Sequence, residues 1–411
     1  MIPIIICVAF SVLLLVDFKK YFIIFIALAT WLQQFVFLST NYSIFEFLSL
    51  FSAIVFFCQR DFRKDFPLKE SFLFFTFSLI ITTYFAWLRN FLLLSITFTT
   101  LLFNVYIFWC VINSDLRKYL KLFIKWSCIF GCIIVGYALF ETVTTSNPFI
   151  EYINSSHAYL NDFLITEVRF GIKRSQSIFS MHTTNGAISL ALFCLLLYLK
   201  RQTNFFKSNK LINVLIILLL ITVFLTGARS AMISCVICCL MFYEKELLQF
   251  KYVLLLLVAG CILIGSLYEY IQEVLNSIFD TEKVSGSNAD MRSIQFEIAY
   301  LFLVQSFWFG HGLSYTWLYV KIFYDELLGA ESLWIPVMID QGLIGIMAYA
   351  FFFICCIVYS IKKKALCISF FVLGFLVYNS MSSLPGFQIT YILIYIITMI
   401  ELKQLYPISK T

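Results

Sequence analysis

This 411-residue chain is short of charge: Asp, Glu, Lys and Arg make up only 13% of it, against about 25% in a soluble protein. That excludes an ordinary water-soluble domain. With 15 glycines and 6 prolines there is also little room for low-complexity linkers. There are three histidines, and no acidic pair stands at metal-site spacing, so no divalent cation and no other cofactor is expected. The start, Met1-Ile2-Pro3-Ile4-Ile5, lacks a basic leader and a following small-residue cleavage site, so it reads as a retained first span. No internal repeat is evident.

What is abundant is apolar surface. Hydrophobic residues are 62% of the chain, mean hydropathy is +0.93, and there are 48 Phe and 23 Tyr. Lipid-facing helices and interfacial belts use such residues. Runs long enough to cross a bilayer, about 17 to 25 residues when regular, fall near 2–17, 21–39, 42–58, 71–88, 91–112, 120–141, 184–200, 211–226, 228–243, 252–271, 333–360, 365–379 and 387–405. The expectation is one all-α, polytopic transmembrane domain over 1–411, with about 11 to 14 spans and two long outer loops near 142–183 and 272–332, the second partly helical. The 13 cysteines lie in apolar segments or at their ends, and read as structural buried thiols.

The net charge of +6 suggests nucleic acid or anionic lipid until its distribution is examined. Assigning loops alternately to two sides puts 21 of the 29 basic residues on one side, which the positive-inside rule makes cytoplasmic, with the C-terminus. No nucleic acid is expected. The eight exceptions are Arg89, Arg169, Lys173, Arg174, Arg229, Lys283, Arg292 and Lys321; all but Arg89 fall in the two long loops or the turn at Arg229. Basic residues set against the topogenic bias suggest an anionic ligand on the outer face.

Arg229 is the only charged residue between Leu211 and Tyr243. At mid-bilayer a cation costs roughly 2.5 to 3.5 kcal/mol on insertion scales. It could pair with a buried carboxylate, cap helix carbonyls, or bind an anion. The small neighbours Gly227, Ala228, Ser230 and Ala231 would allow close approach of a ligand, or a break between two half-helices of the kind that lines membrane sites.

The stretch from Arg169 through Lys173, Arg174, Ser177, Phe179 and His182 to Asn185 and Gly186 concentrates donors just before a span. It suits a phosphate or sugar ligand, or a patch on lipid headgroups. In the second loop, 289–308 reads as an amphipathic helix along the outer interface. Asp290 is its N-cap, and Ile294, Phe296, Ile298, Ala299, Leu301 and Phe302 are its apolar residues. Arg292 on that helix reads as a ligand or as part of a solvated face, and Gly310 and Gly312 as turn signals. Glu331, at the mouth of a span, reads as a cap or as a general base.

Three landmarks in order carry a resemblance: Arg-x-x-Ser-x-Phe-x-x-His (Arg174, Ser177, Phe179, His182), Thr-Gly-Ala-Arg-Ser-Ala around Arg229, and a loop with Gly310-His311-Gly312 followed by Gly342-Leu-Ile-Gly345. Together they resemble the O-antigen polymerase and ligase superfamily of Wzy and WaaL type, and most closely a Wzy repeat-unit polymerase. The resemblance implies a GT-C-like membrane glycosyltransferase of the bacterial plasma (inner) membrane, with its active site facing the periplasm. Its substrates would be undecaprenyl-diphosphate-linked glycans in membrane lipid, and its partners a chain-length regulator and a flippase. Arg229 and Arg292 would hold the diphosphate, supported by Arg174 and Arg169. Ligases carry a histidine where this chain has Glu331-Ser332, which favours a polymerase with Glu331 as base and His311 and His182 as rivals. His182, His311, Tyr315, Trp317 and Trp334 are further candidates for substrate contact. An O-antigen ligase and a lipid-linked glycan flippase remain the alternatives.

Overall fold

A computed structural model describes the chain except for residues 1, 36–42, 60–64, 87–91, 157–167, 170–171, 207–208, 243–288, 325–326, 328–331, 383–386 and 408–411. It is an all-α membrane protein. The elements are α1 (Ile2–Val16), α2 (Phe18–Leu32), α3 (Ile44–Cys58), α4 (Lys69–Tyr84), α5 (Leu92–Ser114), α6 (Leu116–Thr144), α7 (Pro148–Ser156), α8 (His182–Gln202), α9 (Lys210–Leu225), α10 (Arg229–Phe242), α11 (Ala289–Gln305), α12 (Trp334–Lys362), α13 (Leu366–Met381) and α14 (Phe387–Leu405). The only extended pairing among the described residues is a two-residue antiparallel ladder, β1 (Val168–Arg169) with β2 (Ile172–Lys173).

The helices follow the apolar runs because a backbone in lipid must satisfy its own N–H and C=O groups. Twelve of the thirteen expected spans coincide with a helix; the expected span 252–271 lies outside the described residues. By length and apolar content α5, α6, α8 and α12 each hold a helix able to cross a membrane. Helix starts carry local signals: Ser43 and Glu46 form a reciprocal capping box at α3, and Asp17 accepts from Lys20 N–H at α2.

Two helices form the centre. In α8 every residue from Asn185 to Leu199 is buried, and α14 is buried from Ile389 to Leu402. Around them α6, α9, α10 and α13 bury one face against the bundle. Outer faces stay apolar, as at Ile4, Val8 and Leu15 of α1 and Leu211, Val214, Ile217 and Phe224 of α9, all exposed. Such continuous apolar exposure suits lipid as the surrounding solvent.

Three expectations need correction. Asp290 is the second residue of α11, not the residue before it. The apolar residues of that helix do not form one face. Ile298 and Ala299 are buried, Ile294, Phe296 and Leu301 are exposed, and Arg292 and Gln295 share the inward stripe that packs on α12. A helix between a protein face and a non-aqueous surrounding can be apolar on both sides, so its period does not show which side is in. Finally, the twelve cysteines in the described residues form no disulfide, as expected, but Cys58 and Cys132 are exposed. A small apolar thiol is as compatible with lipid as with a core.

Candidate active site

The turn between α9 and α10 is built by a glycine. Gly227 has φ +59°, and its N–H donates to Phe224 O at 3.0 Å, closing α9 with a left-handed residue. Arg229 then starts α10, half-buried. A cation on the first turn of a helix opposes the helix dipole, while the same N–H groups attract an anion. Arg292 sits likewise in the first turn of α11 and His182 at the first position of α8, both half-buried. All three also contact protein groups.

Lys173 and Arg174 are placed in the opposite way. Buried Arg174 lies across Gly227, donating from Nε to Thr226 O at 3.2 Å and from an Nη to Gly227 O at 3.3 Å. It thus caps the C-terminal end of α9, where the dipole favours a cation. A Cβ on Gly227 would lie 3.3 Å from the Arg174 side chain. Lys173 pairs with Glu141 at 3.4 Å, the side chains being 5% and 0% exposed. The other Glu141 oxygen accepts from Ser175 Oγ at 3.0 Å, Gln176 N at 2.9 Å and Ser177 N at 2.7 Å. Arg169 lies in β1 opposite Ile172; its side chain lies outside the described residues.

The second loop enters a break in α12. At Gly342 (φ 62°, ψ −154°) the helix leaves helical geometry, and residues 307–312 supply what the break exposes. Leu343 N donates to Phe307 O at 2.9 Å and Ile344 N to Trp308 O at 3.1 Å. His311 N donates to Ile339 O at 3.0 Å and Gly312 N to Asp340 O at 2.8 Å. Buried Asp340 completes the junction, accepting from Ser314 N at 2.8 Å and from Thr316 N and Oγ1 at 2.7 and 2.6 Å. A Cβ on Gly310 would come within 2.5 Å of the Asp340 backbone, and one on Gly342 within 2.6 Å of Gly310 N. The two glycine landmarks are therefore one structural unit.

That unit also occupies some of the candidate residues. Buried His311 bonds through Nε2 to Phe302 O at 3.0 Å, and its ring stacks on Tyr315, which stacks on Tyr319. Lys321 Nζ lies 5.5 Å from the Trp317 ring centre, and burial lowers the pKa of its ammonium. Trp334 Nε1 donates to Ser380 Oγ at 2.9 Å. Glu331 lies outside the described residues.

The end of α13 ties these parts together. Ser230, next to Arg229, lies 2.7 Å from Ser382 between the two hydroxyl oxygens. Tyr378 Oη donates to Thr183 O at 2.6 Å, with Ser230 and Ser382 beside it. Leu333, two residues after Glu331, donates its N–H to Asn379 O at 2.8 Å. The Arg229 turn, the start of α8 and the segment following Glu331 thus converge on residues 378–382. Arg292 is carried on a different element, α11, which packs against α12.

Sequence reasoning missed Glu141, Asp340 and the Tyr378–Ser382 turn. The first two carry a signal, a carboxylate in an apolar run; the third is ordinary polar decoration of a span end. Among the described residues no three His, Cys, Asp or Glu side chains are grouped to hold a metal ion.

Residues 214–350 match the Wzy_C family model, described as O-Antigen ligase. The matched stretch takes in the Arg229 turn, α11 and the broken part of α12. It supports the O-antigen polymerase/ligase superfamily and glycosyltransferase-type enzyme function, common to polymerisation and ligation. No curated protein matches the chain.

Proposed function

We propose that this protein polymerises undecaprenyl-diphosphate-linked oligosaccharide repeat units at the outer face of the bacterial plasma membrane. The observation that carries this is Arg229 on the first turn of α10, beside the glycine break and inside the matched stretch. A hydroxyl of one lipid-linked repeat attacks the anomeric carbon of the growing chain. The C1–O bond to the diphosphate breaks with inversion, undecaprenyl diphosphate leaves, and the hydroxyl proton passes to a base, for which Glu331 is the candidate.

The leaving diphosphate gains negative charge in the transition state. Fixed arginines and helix N-terminal N–H groups in a water-poor site stabilise that charge with no metal needed. Arg229 and Arg292 take this role. Arg174 supports it indirectly, by holding the turn that presents Arg229. Trp334 and His182 border the same convergence and are candidates for substrate contact.

The second reading, a ligase that moves the finished glycan to lipid A core, is favoured by the matched family's own description. Glu331-Ser332 in place of the ligase histidine favours polymerisation. Purified protein given only lipid-linked repeats decides between them: a ladder of longer lipid-linked glycans supports the polymerase, and transfer that occurs only when lipid A core is added supports the ligase.

A further inference from the structure

The last turn of α13 carries a buried carboxamide that the fold leaves unused. Asn379 is 1% exposed, yet neither its Oδ1 nor its Nδ2 has a hydrogen-bond partner. Such groups are rare, because burial strips their water and nothing replaces it. An apolar side chain of the same volume would serve the empty fold better.

Two anchors fix where Asn379 stands. Ser382, three residues on, touches Ser230 beside Arg229. The Asn379 carbonyl receives the N–H of Leu333, two residues after Glu331. The unused amide therefore stands on the turn that joins the neighbour of Arg229 to the start of α12.

We infer that Asn379 is a substrate-binding residue, whose carboxamide takes a sugar hydroxyl of the lipid-linked glycan next to the diphosphate. This rests on the proposed function and deepens it. The donor inventory selects the sugar: phosphate oxygens only accept, so they would satisfy Nδ2 and repel Oδ1. A sugar hydroxyl donates and accepts, so it can pair with either end. The diphosphate falls to the arginines, whose planar donors match it.

The test uses full-length protein in lipid nanodiscs, with two probes: bare undecaprenyl diphosphate, and lipid-linked glycan extracted from the producing strain. Asn379→Leu should lose about tenfold or more in affinity for the glycan lipid and keep its affinity for the bare diphosphate within about twofold. Its melting temperature should equal or exceed that of the wild type, and Asn379→Ala should show the same selective loss. Unchanged glycan-lipid affinity, an equal loss on both probes, or a lower melting temperature in both variants would overturn the inference. Wild-type protein that binds both probes equally also overturns it, while leaving the diphosphate site standing. Wild-type protein that binds neither removes the proposed function as well.

Discussion

Lys173 and Arg174 stand in one cluster, Arg229 and Arg292 at two separate helix starts, and the protein treats the two pairs in opposite ways. Lys173 meets the carboxylate of Glu141 in the interior, and Arg174 lies on the closing carbonyls of α9. Both cations sit where the fold itself supplies negative potential. Arg229 and Arg292 sit on first turns, where the fold supplies positive potential, a disadvantage of roughly 0.3 to 1 kcal/mol each at an exposed site. The first pair therefore serves the architecture, and the second stands where the helix N–H groups would also attract the anion that the proposed function requires. Arg174 links them, since the turn it caps is the one that presents Arg229.

The sharpest break in this comparison would come from exchanging the roles. Arg229→Ala should lower polymerisation by about 10² to 10³ or more, the cost of one transition-state donor, while the melting temperature stays near the wild type. Arg292→Ala should behave alike, read as loss of long glycan chains with single-repeat product retained. Lys173→Met should act on the other quantity, leaving the Glu141 charge buried without its partner. That costs about 3 to 5 kcal/mol, and a thermal melt in detergent reads it as a clear fall. A Lys173→Met protein as stable as wild type would show that the pair is not architectural.

Smaller effects follow from the glycine junction. Gly342→Ala places a Cβ within 2.6 Å of Gly310 N at a left-handed φ. It should loosen the 307–312 insertion and cost about 1 to 3 kcal/mol, seen as faster hydrogen exchange at Leu343 and Ile344 than in wild type. Glu331→Gln tests the base alone: turnover should fall while affinity for bare undecaprenyl diphosphate is kept, and an active Gln variant removes Glu331 from the mechanism.

How much of this could be read from the residues depends on which force decides each feature. Apolar runs locate the helices, since in lipid no other backbone arrangement is open to them. The break before Arg229 is legible too, because Gly227 and its small neighbours in such a run allow a turn between two helices. The position of Lys173 and Arg174 is not legible, because it depends on Glu141, some thirty residues away in sequence, and on the far end of another helix. Nor is the facing of α11, whose Ile294 and Leu301 look outward as readily as Ile298 looks inward. The short α7 and the β1–β2 ladder lie in a loop whose pattern has no clear period. Gly310 and Gly342 read separately as turn signals; only their contact shows that each exists for the other.

The central claim is that Arg229 holds the diphosphate of the leaving lipid, and equilibrium binding of bare undecaprenyl diphosphate to purified wild-type and Arg229→Ala protein tests it most directly. The account predicts saturable binding to the wild type and a loss of about tenfold or more in the variant, the worth of one charge-assisted contact, at unchanged melting temperature. Equal affinity in the two proteins would contradict it.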